Sequence, residues 1–377
     1  MHYNQRVKSE KIIVLQTTVP FYRVPFFRLL KKSALGGQIE IHCGLDYWDD
    51  TTKLWQSRDL EVEIIRNQFF FRKTLLFQVG LFWQRVNSSL SICELNPRVI
   101  STWLLVLSRR VLRRDTVFWG HAFPRSGHTA KSLWIRKLMC NFGTGIIAYN
   151  ANEAEAFKQR HPSKPVFAAP NALYESREIY HAAGSGKDIV FVGRCTEEKD
   201  PMTLLRAFHL VQSRLGESKL HIVGKGPLLK EMEDFILSCN LSERVILHNE
   251  ISDLESLRQI YFKCFTSVVP GFVGLSLVQS LGFGVPAIIS THKMHAPEVY
   301  SANEGNSIFF EVGNVNDLAK SLIEMWDKRE SSYFDGERIS REIQSNYSME
   351  DMVQGFSEAL DFKAKFNHCF NSIKYIP

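Results

Sequence analysis

No apolar run in this chain of 377 residues reaches the ~18 needed to cross a bilayer as a helix. That excludes a helical membrane-spanning protein. The seven cysteines are odd in number, scattered and free of CxxC pairs. A disulfide framework and a cysteine zinc site are therefore not expected, and reduced cytosolic thiols are. There is no internal repeat and no low-complexity tract, so neither a solenoid nor a disordered chain is indicated. The opening residues, MHYNQRVKSEKIIVLQ, pass from a polar lead into a strand without the apolar core of a secretory signal. A cytoplasmic location is the expectation.

Acidic residues are scarce in the first half. Residues 1–180 hold 26 Lys and Arg against 14 Asp and Glu, whereas the remainder holds 20 against 26, for a net charge of +6. A basic half beside an acidic one suggests an anionic partner on one side. Nucleic acid would fit that charge. Aromatic residues mixed with the basic ones fit an anionic membrane surface as well, and peripheral binding to lipid is the expectation. It rests on residues 69–86, FFFRKTLLFQVGLFWQRV, read as a helix in a lipid interface, and on the basic segment 109–114.

The chain is organised around residues 265–290, FTSVVPGFVGLSLVQSLGFGVPAIIS. A β-branched apolar run, a break at Pro270 and Gly271, a helical pattern from Leu275 and a second apolar run describe a βαβ unit. The helix N-terminus of such a unit carries unpaired N–H groups that hold anions. Gly271 and Gly274 would let a phosphate approach the backbone. Ser276 and Gln279 share a helix face there, offering a donor to a phosphate oxygen and an amide to a ribose hydroxyl.

Other strand ends supply further candidates. A strand over 188–192 runs into Gly193-Arg194 and an acidic turn ending in Lys199, so both cations can converge on one diphosphate. His121 follows a strand over 116–119, where the cleft of an α/β domain lies. The acidic cluster Asp46, Asp49 and Asp50 has a spacing that binds Mg²⁺ or Mn²⁺, but a solvated loop fits it better. His292 and His295 lack a third ligand, so no metal is expected there. His128, Lys131, Arg136 and Lys137 read as helix surface. A polar stretch over 171–187 reads as an interdomain linker.

The run PGFVGLSLVQSLGFGVP resembles the signature of retaining GT-B glycosyltransferases of the family 4 type, a glutamate-Gly-Phe-Gly turn, a helix with a second glutamate, then Gly-x-Pro. Gly274, Leu275, Gln279, Gly284 and Pro286 match by spacing. Gly271 stands where the first glutamate belongs and Gln279 where the second does, which puts sugar recognition in doubt more than nucleotide binding. Gly193-Arg194 through Lys199 is similar to the family's donor-phosphate motif, Gly224-Lys225-Gly226-Pro227 to a structural turn near the base, and Pro297-Glu298 to a Pro-Glu that implies a donor role for Glu298. Tyr22-Arg23-Val24-Pro25 and Phe118-Trp119-Gly120-His121 resemble elements of bacterial polysaccharide enzymes.

The resemblance implies an α/β protein of GT-B fold, two Rossmann-like domains facing across a cleft. Residues 1–175 would form the acceptor domain and residues 176–350 the donor domain, with the helix from 351 returning to the first. The implied reaction moves a hexosyl group from a UDP- or GDP-sugar to a lipid-linked saccharide of a surface polysaccharide, with retention and no catalytic metal. Arg194 and Lys199 would stabilise the leaving diphosphate, His121 would orient the sugar, and Arg23 would touch the acceptor. A GT-B nucleotide-sugar epimerase and a non-catalytic nucleotide-sugar binder are the alternatives.

Overall fold

The computed structural model describes residues 11–48, 60–124, 130, 132–181, 186–292, 294–331 and 333–373, the last without side chains beyond 362. Asp49, Asp50, His128 and Lys131 lie outside the described residues. The chain divides into two compact units, one of residues 1–171 with 349–377 and the other of residues 172–348.

Unit 1 is built on β1 (Ile12–Gln16), α1 (Val24–Lys31), β2 (Ile39–Cys43), β3 (Glu63–Ile64), β4 (Arg66–Phe70), β5 (Leu75–Val79), α2 (Phe82–Asn87), β6 (Leu90–Glu94) and α3 (Ile100–Val111). It continues with β7 (Asp115–Trp119), α4 (Leu133–Phe142), β8 (Gly145–Ala148), α5 (Ala151–Arg160) and β9 (Val166–Ala168). Seven strands form one parallel sheet in the order β3-β2-β1-β6-β7-β8-β9. β1 is buried along its whole length, as a strand covered on both faces must be. The C-terminal helix, Met349–Ile373, packs on α1, β8 and β9, where Phe356 meets Phe26 and Trp119 edge-on.

Unit 2 runs β10 (Asp188–Val192), α6 (Pro201–Val211), β11 (Leu220–Val223), α7 (Leu229–Ser238), β12 (Val245–His248), α8 (Leu254–Tyr261), β13 (Cys264–Val269) and α9 (Leu275–Gly282). It ends with β14 (Ala287–Ser290), β15 (Ser307–Phe310), α10 (Val315–Lys328) and α11 (Gly336–Gln344). Its six parallel strands lie in the order β12-β11-β10-β13-β14-β15, the doubly wound pattern in which the strand order reverses between β10 and β13. Leu204, Leu205 and Phe208 of α6 pack with Leu318, Leu322 and Met325 of α10 in its main core.

The aromatic stretch 69–86 is not a lipid-lying helix. It forms most of an antiparallel hairpin, β4–β5, followed by the short α2. Phe71, Arg72 and Lys73 at its tip have φ of 50°, 52° and 60°, three consecutive left-handed residues that no right-handed helix admits. Asn67 and Gln78 face each other across the pair and bolt it to the main sheet. Gln78 Nε2 donates to the Gln16 carbonyl at 3.0 Å, and Asn67 Nδ2 to the Thr17 carbonyl at 2.8 Å. Two polar side chains paired across the strands outweigh an apolar pattern that fits period 3.6 as well as period 2.

Arg109 is a second correction, since it is buried and faces no lipid. Its guanidinium donates to the carbonyls of Arg85, Val86 and Ser88 at 2.6 to 3.0 Å and to Thr116 Oγ1 at 3.0 Å. A buried cation with carbonyl partners is a structural staple.

Candidate functional site

In each unit the strand order reverses at one place, and ligands of doubly wound sheets bind outside the carboxyl ends of the strands there. In unit 2 the reversal lies between β10 and β13. The turn after β10 begins at Gly193 and touches the turn after β11. A Cβ on Gly224, whose φ is +150°, would fall 1.9 Å from the Gly193 carbonyl oxygen, so the residue is fixed as glycine by both backbone and space. Asp200, left-handed at φ 50°, ends the turn and caps α6 by accepting from the Thr203 amide.

Lys199 is carried into the turn that follows β13. Its Nζ donates to the Phe272 carbonyl at 2.6 Å, and the Phe272 amide donates to the Glu198 carbonyl at 2.9 Å. A Cβ on Gly271 would meet the Glu198 carbonyl oxygen at 2.3 Å, so the two turns clasp through backbone that no side chain separates. Gly274 caps α9 without a side-chain hydrogen bond, and Leu275 and Ser276, both half-buried, open the helix. The Lys199 ammonium would lie 3.4 Å from a Cβ on Gly274. The side chains of Arg194 and Glu198, on the same turn, form an ion pair at 3.4 Å.

His295 braces this turn. Its Nδ1 accepts from the Val273 amide at 3.0 Å while Nε2 donates to the Ser290 carbonyl at 2.8 Å. Ser290 Oγ in turn donates to the Gly271 carbonyl at 3.0 Å. Only the neutral ring protonated at Nε2 satisfies both bonds. Burial, with His292 and Lys199 adding to it against the Ser290 carbonyl, holds the His295 pKa below the ordinary histidine value.

Gln279 is buried and turned inward. Its amide donates to the Tyr174 hydroxyl and accepts from that of Tyr261 at 3.4 Å. The group expected to meet a ribose is thus taken up by two phenols. Glu298 is also buried, at the first turn of a 3₁₀ segment packed on α9. The Tyr347 phenol is pushed up to about 12 by burial first, then by the Glu298 and Glu342 carboxylates.

In unit 1 the reversal lies between β1 and β6, and the polar side chains gather there. Thr17, just past β1, donates its hydroxyl to Glu94 at the end of β6 at 2.6 Å. Burial pushes the Glu94 carboxyl up, against the Thr17 hydroxyl and the Arg23 charge. Arg23 is buried before α1, with its guanidinium 4.3 Å from the Trp119 ring centroid and Nη2 donating to the Tyr149 hydroxyl at 3.0 Å. The Tyr149 phenol is pushed up to about 12 by burial, so it stays a neutral acceptor. The His121 ring lies on Tyr149 with centroids 4.4 Å apart, and its Nδ1 is 3.7 Å from Glu153 Oε1. That Glu153 oxygen accepts the Ala122 amide at 3.1 Å. Arg136, expected on a helix surface, instead donates to the His121 carbonyl at 3.0 Å.

Residues 175–335 match the family model described as glycosyl transferases group 1. The chain is 31% identical over 150 residues to the N-acetylgalactosamine-N,N'-diacetylbacillosaminyl-diphospho-undecaprenol 4-alpha-N-acetylgalactosaminyltransferase of Campylobacter jejuni, a match over 39% of this chain and 40% of that relative. Two solved structures share the architecture over nearly their whole length. The apo lipopolysaccharide outer core galactosyltransferase WaaB has a TM-score of 0.67 at 15% identity, covering 94% of this chain and 99% of its own. Anabaena HepE in complex with UDP has a TM-score of 0.69 at 14% identity, covering 93% and 99%. The chain has the GT-B fold, and its residues 175–335 are similar to the group 1 glycosyl transferases.

Within this GT-B protein the candidate residues fall into two groups. Lys199, Gly271, Gly274, Leu275 and Ser276 meet in the group 1 domain, with Arg194 on the adjoining turn. Arg23 and His121 meet in unit 1 through Tyr149. Sequence reasoning missed Thr17, Glu94, Tyr149, Glu153 and the bracing role of His295. The signal available for the first three was their place at the carboxyl ends of β1, β6 and β8. Among the described residues no group of three or more His, Cys, Asp or Glu is placed to hold a metal ion.

Proposed function

We propose that this chain is a hexosyltransferase that takes a hexosyl group from a UDP- or GDP-linked sugar and places it on a lipid-linked saccharide during surface-polysaccharide synthesis, with retention at the anomeric carbon. The observation that carries the proposal is the seating of the Lys199 ammonium in the glycine turn at the N-terminus of α9. As the bond from the anomeric carbon to the diphosphate breaks, its electron pair passes to a phosphate oxygen. Lys199, Arg194 and the first amides of α9 are then the groups that stabilise the growing charge. The acceptor hydroxyl attacks from the face that the diphosphate leaves, and its proton goes to the departing phosphate oxygen. His121, backed by Glu153, orients the sugar. Arg23 contributes to the acceptor side as a fixed charge.

Supporting the donor class, the group 1 family match covers this unit, and HepE was crystallised with UDP. Supporting the acceptor class, the Campylobacter relative is named for transfer to a diphospho-undecaprenol saccharide. Glycine at 271 and the buried amide at 279 leave a non-catalytic nucleotide-sugar binder as the second reading.

Incubation with labelled UDP- and GDP-sugars and a polyprenyl-diphosphate saccharide decides between them. Labelled lipid of the donor's anomeric configuration is the expected product. An altered free sugar nucleotide would mark an epimerase, and nucleotide-sugar binding without turnover of any donor would mark a binder.

A further inference from the structure

The transfer proposed above gives no task to Glu94, although it stands at the carboxyl end of β6 beside the strand reversal of unit 1. The Thr17 hydroxyl donates to its Oε2 at 2.6 Å, so the carboxylate is fixed in place. The residue is half-buried, which leaves part of it open to the crevice. Holding one threonine hydroxyl does not call for a charge, since a glutamine oxygen accepts the same bond.

Two donors of the same cluster find no acceptor among the described residues. They are Arg23 Nε and Trp119 Nε1, on residues 7% and 1% exposed. The Arg23 guanidinium lies 4.3 Å from the Trp119 ring centroid, and its charge acts on the Glu94 carboxyl. Buried donors left unpaired are costly and call for a ligand or a water. A carboxylate beside unmet donors is complementary to a group that both donates and accepts. A sugar hydroxyl does both. A phosphate accepts only, and the Glu94 charge would repel it. The other titratable groups that act on Glu94 are Tyr149, Cys43 and Cys93. Burial pushes each of them up to about 12, so Arg23 and Glu94 carry the charge.

We propose that the Glu94 carboxylate receives a hydroxyl of the acceptor saccharide in the unit 1 crevice, with Arg23 as the matching donor. This rests on the transfer reading and narrows it, since the crevice then takes a neutral sugar ring and the lipid diphosphate lies outside it. The bond aligns the hydroxyl and moves no proton, so the proton still passes to the departing phosphate oxygen.

The test compares the wild type with Glu94→Gln at saturating UDP- or GDP-sugar, with a polyprenyl-diphosphate saccharide as acceptor. Glutamine keeps an oxygen for Thr17, so the thermal midpoint should hold. Acceptor kcat/KM is expected to fall about 10- to 100-fold, with KM rising, the loss typical of a hydrogen bond to a charged group. The thermal shift with UDP or GDP, which reads unit 2, should be unchanged. Burial raises the Glu94 carboxyl, and the bond needs its ionised form. Wild-type acceptor kcat/KM should therefore decline as pH falls through that raised value, and Glu94→Gln should lack this decline. Glu94→Asp, which keeps the charge, should retain it at a lower rate. A decline set by His121 would persist in all three proteins. Unchanged acceptor kcat/KM in Glu94→Gln, an acid decline that this variant keeps in full, or a lost nucleotide shift overturns the proposal and leaves the transfer reading standing. Nucleotide binding by the wild type with no labelled polyprenyl product overturns that reading, and the proposal with it.

Discussion

The two units reverse strand order in the same way and fill the resulting crevice with opposite chemistry. In unit 1 the crevice is occupied by side chains, in which the Arg23 guanidinium lies against Trp119 and Tyr149 and the Glu94 carboxyl accepts from Thr17. In unit 2 it is occupied by backbone, where the turns before α6 and α9 approach so closely that Gly271 has no room for a Cβ. A crevice of side chains is set by which residues occur there and is remade by substitution. One of backbone amides is set by the absence of side chains, and suits a group common to many donors, such as a diphosphate. The same topology thus supports a crevice made of side chains in one unit and one made of backbone in the other.

The largest effect should come from removing the cation that links the unit 2 turns. Lys199→Ala is expected to lower kcat/KM for the nucleotide sugar by about 10²–10³-fold, the loss typical of one transition-state donor. Steady-state assay checks this, and an unchanged value would break the backbone reading of unit 2. Gly271→Glu, which restores the acid of the resembled motif, should disrupt the site and not improve it. Its Cβ would lie 2.3 Å from the Glu198 carbonyl oxygen, so the turns must part. A stability loss of about 1–3 kcal/mol and a smaller thermal shift with UDP or GDP are expected.

Arg23→Met sharpens the contrast from the other side. It takes away the donor to the buried Tyr149 hydroxyl and the charge that offsets the burial of Glu94, at a cost of about 1–3 kcal/mol in thermal or denaturant unfolding. Acceptor turnover should fall while nucleotide binding by unit 2 is unchanged. The smallest effect concerns pH. Because His295 has a lowered pKa in the folded state, its neutral ring contributes stability that is complete above about 6.5 and is lost as pH falls through the lower folded value. The thermal midpoint of the protein should therefore decline on acidification to about pH 5. In His295→Gln that pH dependence should disappear.

Much of unit 2 was legible because its chemistry is written locally. The run from Phe265 to Ser290 carries its own strand, break, helix and strand, and the structure shows them as β13, α9 and β14. Glycines beside a helix start announce an anion-binding turn without reference to anything distant. Gln279 was misleading for the opposite reason. Its partners Tyr174 and Tyr261 lie 105 and 18 residues away, and no local pattern announces two phenols waiting for an amide. The hairpin of unit 1 was misread because aromatic and aliphatic residues at 69–86 satisfy either period. The deciding pair, Asn67 and Gln78, is a cross-strand contact.

By itself the sequence determined two α/β units, most of their strands though not β6 or β15, and the glycine turn before α9, since these follow from periodicity and backbone freedom within a dozen residues. Only the tertiary structure decided that Thr17 reaches Glu94, that Arg23 reaches Tyr149 and that His295 braces Val273. Such contacts join strand ends far apart in the chain. They exist because parallel sheet packing brings every carboxyl end to one edge, a geometric consequence that one-dimensional order does not carry.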